Sequence, residues 1–229
     1  MRLRRTHREL NLAPQDLCDA VRKQILAVDW SLDQYNRTER VLYTGKVAEM
    51  PYAITEFHVM SQQDPLAQAT QLLVDWIGTQ DGLERFEPVR AEIATLNPGV
   101  RLHVHRDRCW FHANARRMHV PLITNDRCWH HGSLMRQQTS IHTEFYRMTA
   151  DRLYELNNID PHSAGNEGTQ GRTHLIVDFM PRGFLSQRQA EGINPKAQVD
   201  NGVVAEWIPA HVLGPDARQT SDPKYILSS

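Results

Sequence analysis

After Gly99 the apolar residues stop recurring at helical spacing and begin to alternate with polar ones, which limits this part of the chain to short, half-polar strands. In 102–107 Leu102, Val104 and Arg106 fall on one side and His103, His105 and Asp107 on the other. In 116–123 Met118, Val120 and Leu122 oppose Arg117, His119 and Ile123. Two further strands are predicted at 141–148 and 172–179, the second apolar enough to lie centrally in a sheet. Turn signals such as Thr124-Asn125-Asp126 and Gly165-Asn166-Glu167-Gly168 punctuate the run, so a sandwich or barrel is expected. A barrel whose interior is polar at one end is a site as well as a core.

The residues before Gly99 read differently. Leu17, Val21, Ile25 and Val28 recur at helical spacing over 14–28, with Asp16 in the first turn. Asp64-Pro65 opens a second helix, with Leu66, Ala69, Leu73, Trp76 and Ile77 on one face and Gly78 at its end. Residues 41–60 predict two short strands, and Val89, Ile93 and Leu96 predict a helix over 88–96 that stops before Asn97-Pro98-Gly99. Beyond about residue 181 prolines and glycines predict an irregular extension with one apolar patch, Val203 to Ile208, packed on the barrel. The expected organisation is a single domain, 1–229, divided into a helical and extended part at 1–98, a β core at 99–181 and a C-terminal extension at 182–229.

With 229 residues, 40% of them hydrophobic, the chain can bury one full core. Lys plus Arg number 26 and Asp plus Glu 27, so no global basic field invites nucleic acid. No apolar run approaches the roughly 18–20 residues that span a bilayer, and a cytoplasmic protein with no membrane partner is expected. Three cysteines without C-x-x-C spacing suggest neither a disulfide framework nor a thiolate zinc site; Cys109 and Cys128 read as ordinary buried thiols.

Histidine is the compositional anomaly, because nine of the twelve lie between His103 and His174. The central motif is His105-Arg106-Asp107, followed 57 residues later by His162. Residues i and i+2 of a strand share a face, so His105 and Asp107 can take adjacent positions on one metal while His162 supplies a third. Two imidazoles and a carboxylate on one face of an octahedron leave positions open, which suits non-haem Fe(II). An H-x-D alone is a weak signal, since a strand His and Asp near a turn are more often structural. Arg172, ten residues beyond His162 at the start of Arg172-Thr173-His174-Leu175-Ile176-Val177-Asp178, strengthens it. An inward guanidinium needs a carboxylate, and a bidentate acid such as 2-oxoglutarate provides one. Arg117 and His119 share a face from which they can hydrogen-bond the other end of the same acid.

The other candidates have plainer readings. His103 shares the inward face with His105 and competes with it, although only His105 stands two residues before Asp107. His130-His131, beside Trp129 and Gly132, reads as a solvated hairpin turn. His142 and His174 read as inward core or supporting histidines. Arg108 and Trp110, just past the H-x-D, are candidates for substrate contact at the mouth.

These residues resemble the aspartyl/asparaginyl β-hydroxylase family of iron(II)- and 2-oxoglutarate-dependent oxygenases, which includes bacterial proline hydroxylases. The resemblance covers about residues 97–180. It is carried by Asn97-Pro98-Gly99, His105-x-Asp107, Arg117-Met118-His119-Val120-Pro121, Leu156-Asn157-Asn158, Pro161-His162 and Arg172-x-His174. It implies a mainly β fold with flanking helices, a double-stranded β-helix of jelly-roll or cupin-like form. It implies that His105, Asp107 and His162 bind Fe(II), that Arg172 binds 2-oxoglutarate, and that Arg117 and His119 assist. The activity implied consumes O2 and hydroxylates an amino acid, free or within a peptide. Animal aspartyl hydroxylases lack the carboxylate ligand, so Asp107 is similar to the bacterial members. Two rival readings are the same iron site acting on another small metabolite and a non-catalytic cupin-like barrel that binds a metal or small acid.

Overall fold

The computed structural model describes residues 5–27, 37–43, 46–55, 65–80, 82–102, 104–107, 114–136, 139–184 and 187. Among these residues two helices and ten strands follow in chain order: β1 (His7–Leu12), α1 (Gln15–Ala27), β2 (Arg37–Tyr43), β3 (Lys46–Thr55), α2 (Pro65–Gly78), β4 (Phe86–Leu96), β5 (Arg116–Ile123), β6 (Cys128–Arg136), β7 (Thr139–Tyr146), β8 (Arg152–Leu156), β9 (His162–Asn166) and β10 (Arg172–Pro181). The large sheet runs β1-β8-β5-β10-β4-β3-β2 and the small one β7-β6-β9. All their pairings are antiparallel. The segment before Asp107 extends the small sheet through bridges Arg101↔Gly165 and His105↔His162, where a continuous strand over 102–107 was expected.

Strand alternation sorts the large sheet into two faces. Met118, Val120 and Leu122 of β5, Leu175, Val177 and Phe179 of β10, and Ala91 and Ile93 of β4 meet the helices in one apolar core. α1 contributes Cys18, Val21 and Ile25, and α2 contributes Leu66, Leu73, Val74 and Ile77. Each such fully buried aliphatic side chain stabilises the fold by about 1.5–3 kcal/mol before ordering entropy is counted. The alternate residues, Arg117 and His119 of β5, Arg172 and Ile176 of β10, and Glu92 and Ala94 of β4, line a cavity facing the small sheet. Two facing antiparallel sheets with helices on one outer side make the jelly-roll that the sequence led us to expect.

The helix expected over 88–96 is a strand. Val89, Ile93 and Leu96 fit helical spacing, but β4 pairs with β10 from Leu96↔Arg172 to Phe86↔Pro181 and also with β3. Between two strands, this segment gains hydrogen bonds on both edges and puts Ala91 and Ile93 in the core with Glu92 and Ala94 opposite. His130-His131 is not a solvated turn: both histidines are buried in β6, held between β7 and β9. His142 lies on the edge strand β7 and is 54% exposed, so its expected inward orientation does not occur. The helices expected over 14–28 and 64–78 and the strands at 41–60, 116–123, 141–148 and 172–179 correspond to α1, α2, β2 with β3, β5, β7 and β10. Asp64, His103, Arg108, Cys109, Trp110 and the Val203–Ile208 patch lie outside the described residues.

Candidate metal and acid site

His105 and His162 are brought together by backbone pairing. Each donates its amide to the other's carbonyl at 2.9 Å, which sets their ring centroids 4.3 Å apart. Asp107 follows two residues on, and its amide donates to Asn158 O at 3.0 Å. Asp107 Oδ1 lies 3.7 Å from His105 Nε2 and Oδ2 lies 3.9 Å from His162 Nε2. One donor atom from each residue falls within 4.8 Å of the others, a grouping that among the described residues occurs only here. Nδ1–H of His162 donates to Asp160 O at 2.9 Å, which leaves Nε2 as the lone-pair donor toward the cluster. Burial and the neighbouring His105 push the His162 pKa down to about 3, so its ring is neutral as a ligand must be. Two imidazoles and one carboxylate are a donor set that fits a divalent transition metal.

Arg117, expected near the acid, is engaged by protein carboxylates. Its Nε and Nη2 donate to Asp178 Oδ1 and Oδ2 at 2.8 and 2.9 Å, and its Nη1 donates to Asp107 Oδ2 at 2.5 Å. Burial opposes the guanidinium charge, yet Asp178 and Asp107 hold its pKa above the ordinary arginine value. Asn158 Nδ2 adds a 3.2 Å hydrogen bond to the same Oδ2. The sequence contained Asp178 and Asn158 within quoted motifs, but nothing in strand periodicity marked them as partners of Asp107.

Arg172 lines the same cavity. It is 6% exposed, its Nη1 is buried with no hydrogen-bond partner, and burial lowers its pKa to about 10. Its Nε–H donates to His174 Nε2 at 3.0 Å, with a longer 3.5 Å approach of Nη2 to Nδ1 of the same ring. A guanidinium cannot accept, so the shorter bond assigns the His174 proton to Nδ1, which faces His119 Nδ1 at 3.4 Å. That places the His119 proton on Nε2, an atom buried and without a partner. His119 and His174 are neutral, because burial first and the nearby arginines second push their pKa values well below 6.5. A buried cation and a neutral N–H donor facing one cavity, both unmet, fit the carboxylate of an acid ligand.

His105, Asp107, His162, His119, Arg117 and Arg172 line a single cavity. His130, read from the sequence as a turn residue, lines it too. Neither described helix is long and apolar enough to cross a membrane.

No curated protein matches the chain. Among solved structures it is similar to a prolyl hydroxylase from Trichoplax adhaerens in complex with a hypoxia inducible factor peptide fragment, at 12% identity and a TM-score of 0.55 over 81% of this chain and 86% of that one. A Pseudomonas putida prolyl-4-hydroxylase gives 16% identity and a TM-score of 0.51, over 78% and 94% of the respective chains. A 2OG-Fe(II) oxygenase family oxidoreductase from Burkholderia pseudomallei gives 8% and 0.51, over 76% and 85%. At such identities these likenesses establish a 2OG-Fe(II) oxygenase-like fold. The family model for aspartyl/asparaginyl beta-hydroxylase matches residues 52–181. That match spans more than half of the sequence and contains the His105, Asp107 and His162 cluster together with Arg172, so the chain belongs to the aspartyl/asparaginyl β-hydroxylase family.

Proposed function

We propose that this protein is an Fe(II)- and 2-oxoglutarate-dependent dioxygenase that hydroxylates a C–H bond of an amino acid, free or within a peptide. The observation that carries the proposal is the buried, unmet Nη1 of Arg172 in the same cavity as the His105, Asp107 and His162 cluster. A barrel that only binds a metal has no use for that cation. An iron held there would supply O2 activation, with the electrons coming from the conversion of 2-oxoglutarate to succinate and CO2.

The chain's own residues do the holding. His105, Asp107 and His162 would hold the metal, and Arg172 with His119 Nε2–H would receive the distal carboxylate of 2-oxoglutarate. Arg117 acts on Asp107: by engaging Oδ2 it fixes the carboxylate's rotation, which favours a one-oxygen ligand. Because these donors lie on strands and paired segments, the site is preorganised and little of the binding energy is lost to ordering. Arg108 and Trp110, next in the chain after Asp107, are assigned to substrate contact.

The amino-acid or peptide half of the proposal is supported by the family and by the prolyl hydroxylase relative whose complex holds a peptide. The test is a screen of succinate release across free amino acids and short peptides with Fe(II), 2-oxoglutarate and air, followed by product mass under labelled O2. A substrate-dependent rise in succinate with one labelled oxygen in the product is expected. Stimulation only by a non-amino-acid metabolite would refute the substrate class and retain the oxygenase.

A further inference from the structure

Two cavity-lining histidines, His131 and His130, neither join the metal cluster nor take part in the Arg172, His174 and His119 chain of hydrogen bonds. His131 Nε2 lies 3.4 Å from Ser133 Oγ, which leaves His130 as the one of the two with both ring nitrogens unmet. His130 sits on β6 opposite Ala164 of β9, on the face of the small sheet that looks across to β10. Its ring stacks between Tyr146, at 5.5 Å and 18°, and His174, at 5.4 Å and 30°. The residue is only 4% exposed, and neither Nδ1 nor Nε2 meets a hydrogen-bond partner.

A histidine that served packing alone would be poorly chosen here. Phenylalanine fills the same slot between two rings without burying an N–H and a lone pair that nothing satisfies. Other buried histidines of this protein do find partners, as His131 Nε2 does in Ser133 Oγ and His119 Nδ1 in His174 Nδ1, each at 3.4 Å. His130 Nδ1 and Nε2, His119 Nε2 and Arg172 Nη1 are unmet atoms on three residues that line one cavity and that each neighbour His174. A carboxylate, with two oxygens and about four lone-pair sites, satisfies several such donors at once.

We propose that His130 is a co-substrate-binding residue that donates a ring N–H to the carboxylate held by Arg172, making the acid pocket a three-residue cradle of Arg172, His119 and His130. This rests on the co-substrate reading given above. The cradle recognises a dicarboxylate by its far end and leaves the near end to the metal. Burying ring nitrogens without partners costs folding stability and gains co-substrate affinity, so His130 has opposite effects on folding and on binding.

The test uses the full chain loaded with Mn(II) under anaerobic conditions, with 2-oxoglutarate itself as the probe, titrated by calorimetry. His130→Phe keeps the ring stack and removes the polar atoms. It is expected to leave Mn(II) affinity unchanged, to match or raise the melting temperature of the metal-free protein, and to weaken 2-oxoglutarate at least fivefold. His130→Gln restores a donor and is expected to recover binding to within about twofold of the wild type. Unchanged 2-oxoglutarate affinity in His130→Phe, or a lowered melting temperature with intact affinity, would overturn the assignment and leave the co-substrate reading standing. A wild-type protein that takes up Mn(II) and binds no 2-oxoglutarate would overturn both.

Discussion

Arg117 and Asp107 share a buried hydrogen bond of 2.5 Å, and the same guanidinium grips Asp178 through two others. One cation therefore stands between two carboxylates, of which only Asp107 belongs to the metal cluster. Removing the cation leaves both carboxylates buried beside each other, and breaking a buried pair in this way costs about 3–5 kcal/mol. Arg117→Gln should lower the urea midpoint of the metal-free protein accordingly. Mn(II) should restore part of the loss, because a dication at the cluster replaces some of the missing positive charge. Equal midpoints for variant and wild type would contradict the clamp.

Metal uptake should require His105, Asp107 and His162 together. Alanine at any of them is expected to remove tight Mn(II) binding, read by electron paramagnetic resonance, while His103→Ala retains it. Retention of metal by His105→Ala together with its loss in His103→Ala would shift the ligand assignment by one alternation step.

Arg172 should act on the acid and not on the metal. Arg172→Ala is expected to keep wild-type Mn(II) affinity and to raise the 2-oxoglutarate concentration needed for half-maximal turnover at least tenfold, about 1.4 kcal/mol or more. An unchanged 2-oxoglutarate dependence is the outcome that defeats the assignment.

Folding should weaken in mild acid. His131 is pushed by burial to a pKa of about 4, and His119, His130 and His174 lie well below 6.5 for the same leading reason. In the unfolded chain these histidines take up protons near pH 6.5, so between about pH 6.5 and 4 the unfolded state binds more protons than the folded one. Stability present above pH 6.5 is lost as pH falls, by up to about 1.4 kcal/mol per pH unit for each such histidine. Urea midpoints measured from pH 7.5 to 4.5 should decline steadily through this window. A flat profile down to pH 4.5 would show that the rings are already solvated or paired.

The fold was legible where one periodicity had no rival. β5 and β10 alternate cleanly because one face meets the helices and the other meets the cavity, and α1 shows its buried stripe at Cys18, Val21 and Ile25. β4 was misread because Val89, Ile93 and Leu96 satisfy helical spacing, and only the two neighbouring strands decide the matter. His130 and His131 are adjacent polar residues on opposite faces of a strand whose two faces are both covered, so no alternation could reveal them. The candidate ligands were legible because their spacing is local to one motif and one distal histidine. The Arg117 to Asp178 pair was not, since it depends on the β5 and β10 register, in which Arg117 lies opposite Asp178.

The reciprocal amide pairing of His105 and His162 bears on how such a protein diversifies. The spacing of the two imidazoles is set by main-chain atoms, which every residue type carries, so it does not depend on which side chains surround them. Neighbouring positions can then be exchanged for others with little disturbance to the spacing of the two rings. The part that does the oxidising is inherited intact, and the part that chooses what is oxidised is left open to change.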